Sequence, residues 1–261
     1  MGGPIRCGVS RRVALIAPAM ATPARYYAPF AAWLASQDVR AVVLEHRGSA
    51  SRADMKAYGG DLLDWFDDAR DALDHVVRES AEPVTWIGHS LGAQMLPFVD
   101  HESLTRVVSV ASGTGWVGHL PGTMRWTAPV LMRSIGPLAM RVAGYYPGRS
   151  LRIMDDIPTG VMRQWSRWCL DPAYLGVDVP DAETRFAQVK TPMTVLSFTD
   201  DELMSLAATN DLHDRFVNAD QTRQRYTPAQ LDVDRMGHHG FFRSRHAGLW
   251  EELVLPYVAR D

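Results

Sequence analysis

The chain has 261 residues, 46% of them hydrophobic and 22% charged, so it carries enough apolar side chains for a sizeable core and is not a disordered polypeptide. Its formal net charge of −3 and pI near 6.3 exclude a global basic field of the kind that recruits nucleic acid or anionic lipid. Two cysteines, Cys7 and Cys169, exclude a disulfide framework and lack metal-ligand spacing, which suits a reducing compartment. Met1 to Arg12 carries basic residues without the apolar run of a signal peptide, and Arg6 stands where a myristoylation signal needs Ser or Thr. No stretch approaches the roughly 18 apolar residues of a membrane span. A cytoplasmic enzyme or binding protein is expected. Along the chain, short apolar runs alternate with helical patterns. Val13–Ala17, Ala41–Leu44, Val84–Ile87, Val107–Val110 and Thr194–Phe198 read as strands buried on both faces. Tyr26 to Gln37 places Tyr27, Phe30, Trp33 and Leu34 on one helical stripe. Asp61 to Glu79 does the same with Leu62, Phe66, Ala69, Leu73, Val76 and Val77, and its acidic residues crowd the first turns. After Phe198 come a helix around Leu206 to Val217, a strand near Thr222 to Tyr226 and a last helix from about Ala247. This alternation predicts a parallel sheet wound with helices.

The rhythm breaks between about Gly113 and Arg185, a connection longer than a compact sheet needs. The expectation is an inserted helical cap at 113–185, with a core formed by 1–112 and 186–261. Four of the eight tryptophans fall in the insertion (Trp116, Trp126, Trp165 and Trp168). At helical spacing such rings more often pack a core than line a ligand site, although rings facing a groove would make its wall apolar. The arginines of the segment, Arg125, Arg133, Arg141, Arg149, Arg152, Arg163 and Arg167, read as a solvated face, and one near the mouth of a site could bind a carboxylate or phosphate.

Gly88-His89-Ser90-Leu91-Gly92 has the form G-x-S-x-G, directly after a buried strand and before the helix-competent Ala93–Leu96. A tight strand-turn-helix exposes a serine Oγ above the sheet, and the N–H of Leu91 at the helix start can donate to an oxyanion. Serine is a weak nucleophile unaided and needs a base, which an acid in turn orients. In a fold with a strand-turn-helix elbow of this kind they follow the serine in the order acid, then His. The loop after Phe198 supplies Asp200, Asp201 and Glu202; Asp201 is the candidate acid, with Asp200 as its helper or substitute. Met236–Phe242 supplies the base from His238 or its neighbour His239, which chain position hardly separates.

Taken together, these residues resemble the α/β-hydrolase superfamily over nearly the whole chain, and within it the poorly characterised hydrolases related to serine aminopeptidase and lysophospholipase-like proteins. The Gly237–Phe242 ending and the Pro158–Trp168 stretch carry that placement. Glu45–Ser51 is similar to the superfamily's D-x-R-G-x-G turn, departing at Glu45 and Ala50. The resemblance implies an α/β-hydrolase fold, that is, a mostly parallel central sheet flanked by helices with a helical cap. It implies His238 as base and Asp201 as acid. Where many relatives place His-Gly after the first strand, this chain has Pro18-Ala19-Met20-Ala21-Thr22; only a backbone N–H is needed there, and Met20 is the candidate donor. The expected activity is a serine hydrolase acting on an ester, thioester or similar acyl bond of a small, apolar substrate, with no metal, organic cofactor or nucleic-acid partner. Acyl transfer to an alcohol or amine uses the same residues. The departure in the oxyanion loop also permits a ligand-binding protein without turnover.

Overall fold

A computed structural model describes residues 12–80 and 82–258; Cys7, Gly2 and Arg6 lie outside the described residues. Six strands form one sheet: β1 Val13–Ala17, β2 Arg40–Val43, β3 Val84–His89, β4 Leu104–Val110, β5 Met193–Phe198 and β6 Gln221–Tyr226. All pairings are parallel, in the order β2-β1-β3-β4-β5-β6. The helices are α1 Ala28–Ser36, α2 Arg52–Ala57, α3 Leu62–Glu79, α4 Leu91–Gln94, α5 Met124–Val130, α6 Gly136–Ala143, α7 Thr159–Cys169, α8 Ala182–Gln188, α9 Leu206–His213, α10 Gly248–Leu253 and α11 Leu255–Val258.

Successive strand residues face opposite sides, so the central strands feed two apolar layers. Val13, Leu15, Val84, Trp86, Val107 and Val195 pack with residues of α3, α7 and α8. Ala14, Ile16, Ile87, Val108, Leu196 and Phe198 pack with α1, α10 and α11. Helices therefore cover both faces of the sheet. The α3 start follows from its sequence: Asp61 accepts from the Leu63 N–H and Asp64 accepts from the Asp61 N–H, a reciprocal cap.

Several local expectations shift. The second strand is exposed or half-buried rather than buried on both faces, because the topology puts it at the sheet edge. On α3, Val77 lies exposed and Trp65 takes the buried place instead. The helix expected from Tyr26 begins as a single 3₁₀ turn, Ala24–Tyr27, before α1. Helix α9 ends at His213 rather than near Val217.

Helices α5 to α8 occupy the connection between β4 and β5. Among them, Val161, Met162, Trp168, Cys169, Tyr174 and Phe186 belong to the same apolar cluster as the sheet. Gln164 of α7 accepts from the N–H groups of Leu62 and Leu63 at 2.7 and 3.1 Å, so α7 completes the start of α3. No helix among the described residues is long and apolar enough to cross a membrane.

Candidate active site

Strand order reverses between β1 and β3: the chain runs outward from β1 to β2, then returns to β3 and continues to β6. In open α/β sheets a ligand crevice forms outside the carboxyl ends of the strands at such a reversal. Ala17 at the end of β1 pairs with Gly88 at the end of β3, which brings the loop 18–22 beside the Gly88–Gly92 turn.

Ser90 sits on that turn with φ 52° and ψ −112°, a conformation that costs a non-glycine residue about 1–3 kcal/mol. Its N–H donates to the Val110 carbonyl at 3.0 Å, which ties the turn to the end of β4. The flanking glycines are steric requirements. A Cβ on Gly88 would stand 2.6 Å from the Ala93 nitrogen, and one on Gly92 would overlap the Ala17 carbonyl oxygen. The N–H groups of Met20 and Leu91 have no acceptor among the described residues, and Met20 and Leu91 are themselves buried. These two N–H groups, one on the loop after β1 and one next to Ser90, are thus unspent donors.

The acidic loop after β5 divides its carboxylates among three tasks. Asp201 lies 2.9 and 3.1 Å from His238 Nδ1 through its two oxygens, and Oδ1 also accepts from the N–H groups of Leu203 and Met204 at 2.8 Å each. Both side chains of this pair are almost completely buried. A carboxylate can only accept here, so Nδ1 carries the proton and Nε2 is left as the basic nitrogen. Asp200 instead accepts from the N–H groups of Met236 and Gly237 at 2.8 and 3.1 Å, pinning the loop that carries the histidine. Glu202 accepts from the His238 N–H at 3.2 Å and pairs with Arg235 at 3.4 Å. The neighbouring His239 has no carboxylate on its ring. Burial and the adjacent His238 lower its pKa to about 4. Of the two histidines, only His238 is joined to an acid among the described residues.

The Ser90 hydroxyl makes no hydrogen bond to His238 in this structure; apo geometries of this kind commonly tighten only when substrate binds. A cleft of about 530 Å³ lies against the 236–240 loop, lined by Glu202, Arg235, His238, His239, Arg243 and His246, and Ser90 is not among its walls. A smaller cavity of about 120 Å³ adjoins the loop after β1, with Ala21, Thr22, His46 and Asp156 around it.

Two residues that sequence reasoning did not single out join these parts. His89, fully buried, stands 3.0 Å through Nε2 from the His238 carbonyl and 2.7 Å through Nδ1 from the Tyr27 hydroxyl. The Tyr27 oxygen in turn accepts from the Ala19 N–H at 2.9 Å. A carbonyl cannot donate, so the proton is on Nε2, Nδ1 accepts, and Tyr27 donates to it. Burial, reinforced by His238 and His239, pushes the His89 pKa well below that of a free imidazole and keeps the ring neutral. The loop after β1, the Ser90 turn and the loop that carries His238 are thereby linked by one chain of hydrogen bonds. The only sequence signal was the polar residue inside an otherwise apolar strand end.

A parallel sheet covered on both faces, with a serine on a strained turn after its third strand, defines an α/β hydrolase. The model of the family described as serine aminopeptidase, S33 matches residues 8–149, more than half of the chain, and the chain belongs to that family. The match ends before Asp201 and His238. Solved structures share the fold at low identity. A lipase-esterase related protein from Clostridium acetobutylicum is 12% identical with a TM-score of 0.61, 95% of each chain being covered. The enzyme Est816, described as degrading N-acyl homoserine lactones, is 18% identical with a TM-score of 0.58 and 93% of each chain covered. A thioesterase domain from the curacin biosynthetic pathway is 13% identical with a TM-score of 0.52, covering 94% of this chain and 91% of that one.

Proposed function

We propose that the chain is a serine hydrolase that cleaves an ester, thioester or similar acyl bond of a small, largely apolar substrate. The observation that carries this reading is the buried His238–Asp201 pair at 2.9 Å, set at the same edge of the sheet as a serine held at positive φ. In the proposed reaction His238 Nε2 takes the Ser90 proton as Oγ attacks the acyl carbonyl. The N–H groups of Leu91 and Met20 receive the oxyanion, and His238 returns the proton to the leaving group. Water then attacks the acyl-enzyme with His238 again as base. Asp201 holds the imidazole in one tautomer and stabilises its charged form. The three similar structures described above are named for lipase-esterase, N-acyl homoserine lactone degrading and thioesterase proteins, which supports the substrate class. The segment 113–185, which holds α5 to α7 and the start of α8, is proposed as a cap over this edge, with 1–112 and 186–261 as the core that carries the reaction.

Labelling with a fluorophosphonate probe tests the reading: the parent protein is expected to react and Ser90→Ala not to. A series of p-nitrophenyl and thioester substrates of rising acyl length then gives the preferred group. A parent protein inert to the probe and to every member of the series would leave a binding protein as the better account.

A further inference from the structure

Between Glu102 and Asp155 the chain contains no acidic residue, although the molecule as a whole is net acidic. Within this tract, α5, one turn of π-helix at Leu131–Ile135 and α6 run on without a break. On its inner side Met132, Gly136 and Met140, four residues apart, are buried. On its outer side five large apolar side chains are exposed: Trp126 at 70%, Val130 at 57%, Ile135 at 48%, Leu138 at 66% and Val142 at 82%. Steps of three or four residues keep one face of an α-helix, and a step of five keeps it across a π turn. The five residues follow at steps of four, five, three and four, and the step of five spans the π turn. They therefore form one stripe. Arg125, Arg133 and Arg141, all exposed, flank it at every second turn. None has a carboxylate partner among the described residues, and Arg125 lies over the Trp126 ring at 4.9 Å.

We infer that this face docks on an anionic lipid surface, with the apolar stripe entering the interface and the arginine row meeting the headgroups. A helix with aromatic and aliphatic side chains on one face and arginines beside them has the makeup of an interfacial helix. Charge selects the occupant. A second copy of the chain would bring a like row of arginines against the first, and a neutral bilayer would leave the arginines uncompensated. An anionic surface satisfies both halves of the face. The inference is independent of the proposed chemistry: among the described residues, no hydrogen bond, ion pair or ring contact joins this face to Ser90, Asp201 or His238.

The test is sedimentation with vesicles of pure phosphatidylcholine and of equal parts phosphatidylcholine and phosphatidylglycerol. The parent is expected to bind the mixed vesicles, less so at high salt, and not the neutral ones. A basic residue near such a surface contributes about fivefold to binding, so Arg125→Gln/Arg133→Gln/Arg141→Gln should weaken it about a hundredfold. Leu138→Ser/Val142→Ser should abolish it, and both variants should keep the parent's melting temperature and its turnover of a soluble ester. Ser90→Ala should bind as the parent does, which separates docking from catalysis. If the serine variant melts early, quenching by brominated lipid, compared between the parent and Trp126→Phe, reads the same face. The inference is overturned by a parent that ignores mixed vesicles, by equal binding to neutral ones, by variants that bind unchanged, or by an absent Trp126 signal. A dimer that dissociates in Leu138→Ser/Val142→Ser, without vesicle binding, would assign the face to a second copy instead.

Discussion

Asp200 and Asp201 are adjacent and chemically identical, yet their environments give them separate tasks, which makes them the sharpest test of the proposed site. Asp201→Asn keeps the volume but loses the charge that holds His238 in its tautomer, and turnover should fall by up to about 10⁴-fold. Asp200→Asn should cost far less, because an amide oxygen can still accept from the Met236 and Gly237 N–H groups. Ser90→Ala and His238→Ala should each remove most of the activity, the double variant should be scarcely worse, and His239→Ala should stay close to the parent. Steady-state kinetics on one ester decides all of these, and a dead His239→Ala beside an active His238→Ala would move the base. The relay through His89 makes a different prediction. Tyr27→Phe keeps the ring that packs against His89 and Phe242 but strands the Ala19 N–H and His89 Nδ1. A loss of about 1–3 kcal/mol in stability is expected from the unpaired groups. If the hydroxyl positions the oxyanion loop, kcat should also fall by up to about a hundredfold with KM unchanged. An unaltered kcat at the same lowered melting temperature would make Tyr27 purely structural.

At the scale of elements, what was legible in the sequence was whatever is local. The five apolar runs became β1 to β5, the turn at Gly88–Gly92 lies where its glycines and flanking periodicity put it, and the Asp61 cap starts α3 within a residue of its expected place. What was not legible depends on neighbours. The edge position of β2 follows from strand order, which no window of Arg40–Val43 contains, and α2, which fills the turn after β2, has too few residues to show a period. The His89–Tyr27 contact joins residues 62 apart, and the stripe on α5 and α6 is hidden from any fixed helical period by the π turn inside it. The tryptophans of the connection between β4 and β5 divide for the same reason. Trp168 is fully buried, edge-on to Phe66 and Tyr174, with its indole N–H on Asp178 at 2.7 Å, whereas Trp165 is half-buried. Trp168→Ala should therefore cost about 3–5 kcal/mol and melt early. Trp165→Ala should cost much less, so any shift in acyl preference is to be sought there. Thermal melts of the two variants check this, and equal losses would make both rings part of one core.

At the scale of the whole molecule, buried neutral histidines set its response to acid. Burial lowers the pKa of His46 to about 3 and of His213 to about 4, His239 stands at about 4, and His89 lies well below its usual value. Each binds a proton readily when unfolded and resists it when folded. Their contribution is intact above the unfolded value near 6.5 and is lost as pH falls towards the folded values, at about 1.4 kcal/mol per pH unit for each group. Urea unfolding between about pH 7 and 4.5 should show this slope. His46 stacks on Trp65 at 4.1 Å, and its Nε2 is buried without a partner, so His46→Phe should keep the stack and flatten the slope. An unchanged slope would assign the acid sensitivity elsewhere. The strand order has one further consequence, for the order in which the protein is made. Ser90 precedes His238 by 148 residues, and between them come β4, β5, β6 and the helices that join them. On the proposed assignment, a growing chain on the ribosome therefore completes its serine turn long before the imidazole that would activate it exists. If that assignment holds, reactivity comes late in synthesis, and a half-made chain that lacks His238 cannot acylate itself.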